Sequence, residues 1–81
     1  MATVVPLGRL ADLAGAPSLA LPLMARIDWE GLKAALPPLL ADALDDPKVR
    51  IAVNGALVPD KHKLQASAGD EIALLPPVSG G

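Results

Sequence analysis

The side chains that ordinarily perform chemistry are few in this chain and poorly arranged for it. His62 is the single histidine, and there is no cysteine or second histidine with which it could build a metal site. Ser18, Ser67 and Ser79 would have to share that one imidazole, and none sits in a context suggesting a Ser-His-Asp triad. Asp45 and Asp46 are adjacent and precede Pro47, a pattern of turns and solvation rather than of a general acid and base. Glycine-rich phosphate-binding signatures are absent. One reactive group remains that needs no side chain: the α-carboxylate of Gly81, at the end of the stretch "LLPPVSGG", residues 74–81.

A carboxylate is a poor electrophile, but conversion by ATP to an acyl-adenylate makes it a good one. A sulfur donor that displaces the adenylate leaves a thiocarboxylate, a soft nucleophile carrying transferable sulfur. Glycine leaves the carboxyl carbon unhindered for each step. Gly80 and Gly81 also let a narrow channel in a partner close around backbone alone. Pro76 and Pro77 fix their backbone angles and favour an extended, semi-rigid path. Residues 76–81 would then reach about 20 Å from the body. A frayed terminus, a fusion scar and an ordinary proline strand stop produce the same residues, so composition alone leaves both readings open.

The elements that must hold such an arm are legible as patterns. Residues 2–7, "ATVVPL", read as a short first strand, with Pro6 off the hydrogen-bond ladder. "GRLADLAG" gives one or two turns of helix, closed by Gly15 in the left-handed position. Leu19, Leu21 and Leu23 alternate as in a strand over 17–23. Asp28 is placed to cap a main helix, with Glu30 in its first turn. Leu32, Ala35, Leu36, Leu39, Leu40, Ala43 and Leu44 form its apolar stripe. Pro37 and Pro38 interrupt the helix, which should run over 29–36, break, and resume to about 44. "KVRIAVNGALV" predicts a β-hairpin over 49–58 that turns at Asn54 and Gly55. Residues 60–67 read as an exposed connection anchored by Leu64, with Lys61, His62 and Lys63 solvated. After a turn at Gly69 and Asp70 comes a last strand with Ile72 and Leu74 on one face. Leu75 should face the other way, where Ala52 and Ala73 would join it in a small apolar patch rimmed by Arg50 and the lysines.

This order implies an α+β domain in which a mixed sheet carries one main helix on one face. In 81 residues the compact solution is the β-grasp, or ubiquitin-like, fold. The expected division is a β-grasp domain over 1–75 and a flexible Gly-Gly tail over 76–81. Apolar residues make up 52% of the chain, yet Trp29 is its only aromatic, so the core must be built from Leu, Val, Ile and Ala. The net charge of −2, with acids and bases interspersed, and the lack of a basic block or stacking aromatics argue against a nucleic-acid partner. "MATVVPLGRL" lacks the charged n-region of a signal peptide. No run of 18 apolar residues is present, so no membrane span is expected. The absence of cysteine suits the cytoplasm.

"AVNGALV" and "GDEIALLPPVSGG" together resemble the C-terminal half of the molybdopterin synthase small subunit, the MoaD family of β-grasp sulfur carriers. The resemblance is tight over roughly residues 49–81, extends weakly to "LGRLADLAG", and is one of pattern only over 22–47. It implies a subunit that is not catalytic alone. Gly81 would be adenylated by a MoeB-like, E1-like enzyme using ATP and converted to the thiocarboxylate by a sulfur donor. It would then be delivered into a MoaE-like large subunit within a heterotetrameric synthase. There its sulfur would pass to cyclic pyranopterin monophosphate, making the dithiolene of the molybdenum cofactor. Gly81 is then the sulfur-bearing residue and Gly80 the channel spacer, while Ser79, Val78, Pro77, Pro76 and Leu75 belong to the arm that partners grip. No metal or cofactor is implied for the carrier itself. The chain departs from the family at Leu74 and Leu75, where aromatics are frequent, and at Pro37 and Pro38. Carriers of the thiamin-thiazole type usually lack the double proline, so "PPV" favours molybdopterin. A ubiquitin-like modifier joined to target lysines through Gly81 is the alternative of a different class.

Overall fold

The computed structural model describes residues 2–21 and 26–77. Its first strand, β1 (Ala2–Pro6), leads into α1 (Arg9–Ala14), which Gly15 closes in the left-handed region at φ 73°. Then come β2 (Leu19–Leu21), β3 (Arg26–Asp28), α2 (Trp29–Ala35) and α3 (Pro38–Ala43). The chain ends through β4 (Arg50–Val53), β5 (Ala56–Leu57), a 3-10 turn (Lys61–Lys63), β6 (Gln65–Ser67) and β7 (Glu71–Leu75). Five strands make one mixed sheet in the order β2-β1-β7-β4-β5, and β3 pairs with β6 in a separate two-stranded ladder. The architecture is the expected β-grasp. Leu23, the last residue of the alternating stretch read over 17–23, lies outside the described residues.

Register explains how Pro6 is accommodated. The N–H groups of Thr3 and Leu7 donate to carbonyls of Asp70 and Leu74 on the β7 side. Alternate residues therefore face β7, and the missing donor of Pro6 falls on the other side, beyond the end of β2 at the Val4–Leu19 pair.

The main helix is two pieces. Asp28 caps α2 by accepting the Gly31 N–H at 2.9 Å. Leu36 and Pro37 each precede a proline, and both take extended backbone, with ψ of 157° and 144°. Pro38 restarts the helix at its first turn, where its absent donor costs nothing. The break lets Leu32, Leu36, Leu40 and Leu44 all face the sheet, where they meet Val4, Ile51, Ile72 and Leu74 in one core. The β4–β5 hairpin turns through Asn54 (φ 51°) and Gly55 (φ 85°), the paired positive angles of the expected tight turn.

The stretch 60–67 is not an exposed connection. Leu64 is buried as the expected anchor, but Ala66 is buried as well, and β6 pairs antiparallel with β3. Each of these strands has three residues and one buried apolar side chain, Ile27 or Ala66, too short to show alternation. Lys61, expected in solvent with its neighbours, is also buried. Its ammonium donates to the carbonyls of Leu44, Asp46 and Val49, joining the end of α3 to the start of β4. It also lies 5.6 Å from the centre of the Trp29 ring. Burial pushes the Lys61 pKa down, while Asp46 and Asp45 pull it back up. His62 and Lys63 are exposed as expected.

These contacts set the cost of removing their partners. Lys61→Met should lower stability in a denaturant melt by about 2–3 kcal/mol, because it strands carbonyls whose partner is a charged donor. Lys63→Met, two residues on, should stay within about 0.5 kcal/mol. Asp70 accepts the Ser67 N–H at 2.8 Å and an Asn54 side-chain N–H at 3.0 Å. The backbone donor first and the amide second hold its carboxyl below the ordinary 3.8. A depressed folded-state pKa contributes stability above the unfolded value and loses it as pH falls through the folded one. Thermal melts should therefore fall off below the ordinary value of 3.8, and Asp70→Asn should flatten that acid limb while lowering the neutral plateau.

Candidate functional site

The last strand lies in the middle of the large sheet. β7 pairs in parallel with β1 from Thr3–Glu71 to Pro6–Leu74, and antiparallel with β4 from Arg50–Leu75 to Val53–Ile72. Ile72 and Leu74 are fully buried beneath the helices. Asn54 secures the start of the strand: its side-chain oxygen accepts the Glu71 N–H at 2.9 Å, and its own N–H donates to the Glu71 carbonyl. The far end is secured by the Leu7 N–H on the Leu74 carbonyl at 3.0 Å.

Beyond Leu75 the chain passes Gly8 at the β1–α1 turn. Gly8 has φ 55° and ψ −132°, a conformation strained for any residue with a Cβ. A Cβ built there would also meet Pro76 Cγ at 3.2 Å. The glycine thus serves both the turn and the close passage of the arm's root.

Of the sequence-derived site residues, Leu75, Pro76 and Pro77 come together, all half-buried, along one side of a groove of about 600 Å³. Pro47, Lys48, Arg50 and Leu57 complete its lining. Val78, Ser79, Gly80 and Gly81 lie outside the described residues. The apolar patch differs from expectation in one respect. Ala52 and Ala73 are cross-strand partners, but Ala52 is buried. The apolar side chain that the face offers instead is Leu57, 56% exposed and paired with Ala52 on β5. The signal for it was available, since a hairpin with this turn places Leu57 opposite Ala52.

Several other polar residues make local structural contacts. His62 Nδ1 meets Asp60 Oδ1 at 3.2 Å, and its ring packs edge-on to Trp29 at 5.2 Å. The His62 backbone N–H, and next its ring, depress the Asp60 pKa. The Lys33 ammonium pairs with Asp45. Asp46 accepts the Lys48 N–H at 2.9 Å. Among the described residues no three His, Asp or Glu side chains gather as a metal site, and no helix is long and apolar enough to cross a membrane.

Residues 8–81 match the sequence model of the ThiS family. Among solved structures, the chain is similar to the crystal structure of SAMP1 from Haloferax volcanii, at 24% identity over 99% of this chain and 98% of that one, with a TM-score of 0.72. It is similar to the putative molybdopterin converting factor, subunit 1, from Pyrococcus furiosus, at 21% identity over 95% and 97% of the two chains, TM-score 0.68. It is also similar to the small archaeal modifier protein 1 (SAMP1) from Methanosarcina acetivorans, at 25% identity over 99% and 95%, TM-score 0.65. No curated protein matches the chain at a significant level.

Gly8→Ala should lower stability by about 1–3 kcal/mol, the range for a residue forced into a sparsely populated backbone region. It should also shift the amide resonances of Leu74 and Leu75 more than those of Ile51. A Gly8→Ala protein as stable as the parent, with the root of the arm unmoved, would contradict the packing of Pro76 on Gly8.

Proposed function

The chain belongs to the ThiS family, and from that membership we propose that it is a ubiquitin-like sulfur carrier whose working group is the Gly81 carboxyl. The observation that carries the reading is the family match running through Gly81 on a body whose last strand is paired along both edges up to the arm. The protein is not catalytic alone. An E1-like enzyme binds the arm, and a Gly81 carboxylate oxygen attacks the α-phosphorus of ATP, expelling pyrophosphate. Bisulfide released by a sulfur donor then attacks the acyl carbon, AMP leaves, and loss of the sulfur's proton gives the thiocarboxylate. Side chains near the carboxyl would obstruct each attack, and Gly80 and Gly81 supply none.

We assign the sulfur to molybdopterin: a large subunit receives Gly80 and Gly81, and the thiocarboxylate delivers sulfur to cyclic pyranopterin monophosphate. The similarity to a protein named as a molybdopterin converting factor subunit and the "PPV" stretch favour this substrate over a thiamin-thiazole pathway. A second reading, attachment of Gly81 to target lysines, is favoured by the similarity to proteins named small archaeal modifiers.

Incubation with ATP, an E1-like enzyme and a sulfur donor, followed by intact mass measurement, separates these readings. Exchange of one oxygen for sulfur on the terminal peptide is the expected result. Deletion of Gly81 should abolish it and leave the thermal melt unchanged. Conjugates to other proteins without sulfur exchange would favour the modifier. An unmodified mass with an enzyme that activates a related carrier would overturn both.

A further inference from the structure

A second cavity, of about 300 Å³, lies where the 3-10 turn meets the start of β4. Arg50, Asp60, Lys61 and His62 supply its polar lining, and Val58 and Pro59 are part of its apolar lining. Asp60 is the only acid there, and it is already engaged. Its Oδ1 accepts the His62 backbone N–H at 3.0 Å and meets the ring Nδ1 at 3.2 Å. The three partners of the Lys61 ammonium are neutral carbonyls. Asp46 and Asp45 attract that ammonium through space, but each has a nearer partner. Asp45 pairs with Lys33, and Asp46 accepts the Lys48 backbone N–H. Arg50 is exposed and forms no ion pair among the described residues. A guanidinium and a buried ammonium thus line one cavity with no carboxylate paired to either, in a chain whose nine acids outnumber its seven bases.

We propose that this cavity binds a tetrahedral oxyanion, as free phosphate or as the phosphate group of a small phosphomonoester. Arg50 would donate to two of its oxygens through one side of the guanidinium fork. An ammonium has three N–H donors, and those of Lys61 are spent on carbonyls, so Lys61 contributes its field rather than a hydrogen bond. Apolar walls focus that field into the cavity. Two cations suit a dianion better than a single carboxylate. The volume admits one such group, and a nucleic acid would instead need a track of cations. Occupancy would offset the burial that disfavours the Lys61 charge, and it would tie the 3-10 turn to β4. Of the cavity residues named above, only Arg50 also lines the groove beside Pro76. The site goes beyond the carrier reading and does not depend on it.

The test is an NMR titration of the full chain with inorganic phosphate and, separately, with AMP, at an ionic strength held constant with sodium chloride. Phosphate should shift the resonances of Arg50, Lys61 and His62 saturably, the Arg50 side-chain N–H among them, and leave those of Arg9 and Arg26 in place. Arg50→Gln should weaken binding by about tenfold or more, the loss expected for a charge-assisted hydrogen bond. Lys48→Gln removes a neighbouring charge that lines the groove but not this cavity. It should change the affinity by less than about twofold, because exposed charges are screened. Thermal melts confirm that each variant is folded. AMP that shifts the same resonances at lower concentration than phosphate identifies a phosphomonoester as the ligand, and equal or weaker binding of AMP identifies free phosphate. Shifts that grow without saturating, that sodium chloride alone reproduces, or that Lys48→Gln weakens as much as Arg50→Gln would mean an adventitious ion only and would overturn the site. AMP binding elsewhere on the chain, with phosphate leaving Arg50 and Lys61 unmoved, would overturn it as well.

Discussion

The structure depends on the pairing of β7 along both of its edges. Its neighbour on one side is the first strand of the chain, in parallel, and on the other β4, in antiparallel. The final element is thus built into the centre of the sheet, with Ile72 and Leu74 wholly inside. The carbonyl of Leu74 is engaged by the Leu7 N–H, Leu75 is still paired with Arg50, and Pro76 then passes close to Gly8. In a domain this small, where only a modest share of surface is removed from water, that location makes opening the last strand nearly equivalent to unfolding. The segment after Leu75 therefore starts from a fixed point, as the proposed carrier function requires.

The rest of the molecule accommodates that constraint with a restricted set of side chains. With one aromatic, the core is filled by branched aliphatics from three short helices rather than by large rings. The proline break between α2 and α3 lets leucines from both pieces reach the same sheet face. Where the connection after β5 returns past α2, Lys61 is buried and its ammonium satisfies three carbonyls at once. An apolar side chain could occupy the volume but would leave those carbonyls without partners.

The sequence was most legible where one residue type has one conformational reason to be present. Gly15 as a helix cap, Asp28 as an N-cap, the turn at Asn54 and Gly55, and the break at Pro37 and Pro38 were all readable from local chemistry. The alternating strands β4 and β7 were readable from their period. Features that exist only through distant contacts were not. The β3–β6 ladder joins two polar triplets far apart in the chain, and neither has a pattern of its own. Burial of Lys61 depends on carbonyls from three residues that the fold alone brings together. Asn54 was legible as a turn residue, but its grip on Glu71 and Asp70 depends on the β4–β7 register. At the candidate site, the arm was recognisable from its final residues and from family resemblance. The groove that Leu57 shares with Lys48, Arg50 and Leu75 was not, because β5 is two residues long and the lining comes from three separate segments of the chain.

In the proposed carrier, body and arm divide the work: the sheet would hold and orient, and the terminal carboxyl would react. Native-state hydrogen exchange of the β7 amides tests this division most directly. The amides of Ile72 to Leu74 should exchange only through global unfolding, with the same denaturant dependence as those of Ile51. Exchange of these amides through a low-energy local opening, while β1 and β4 stay protected, would show that the last strand is not pinned and would contradict the account.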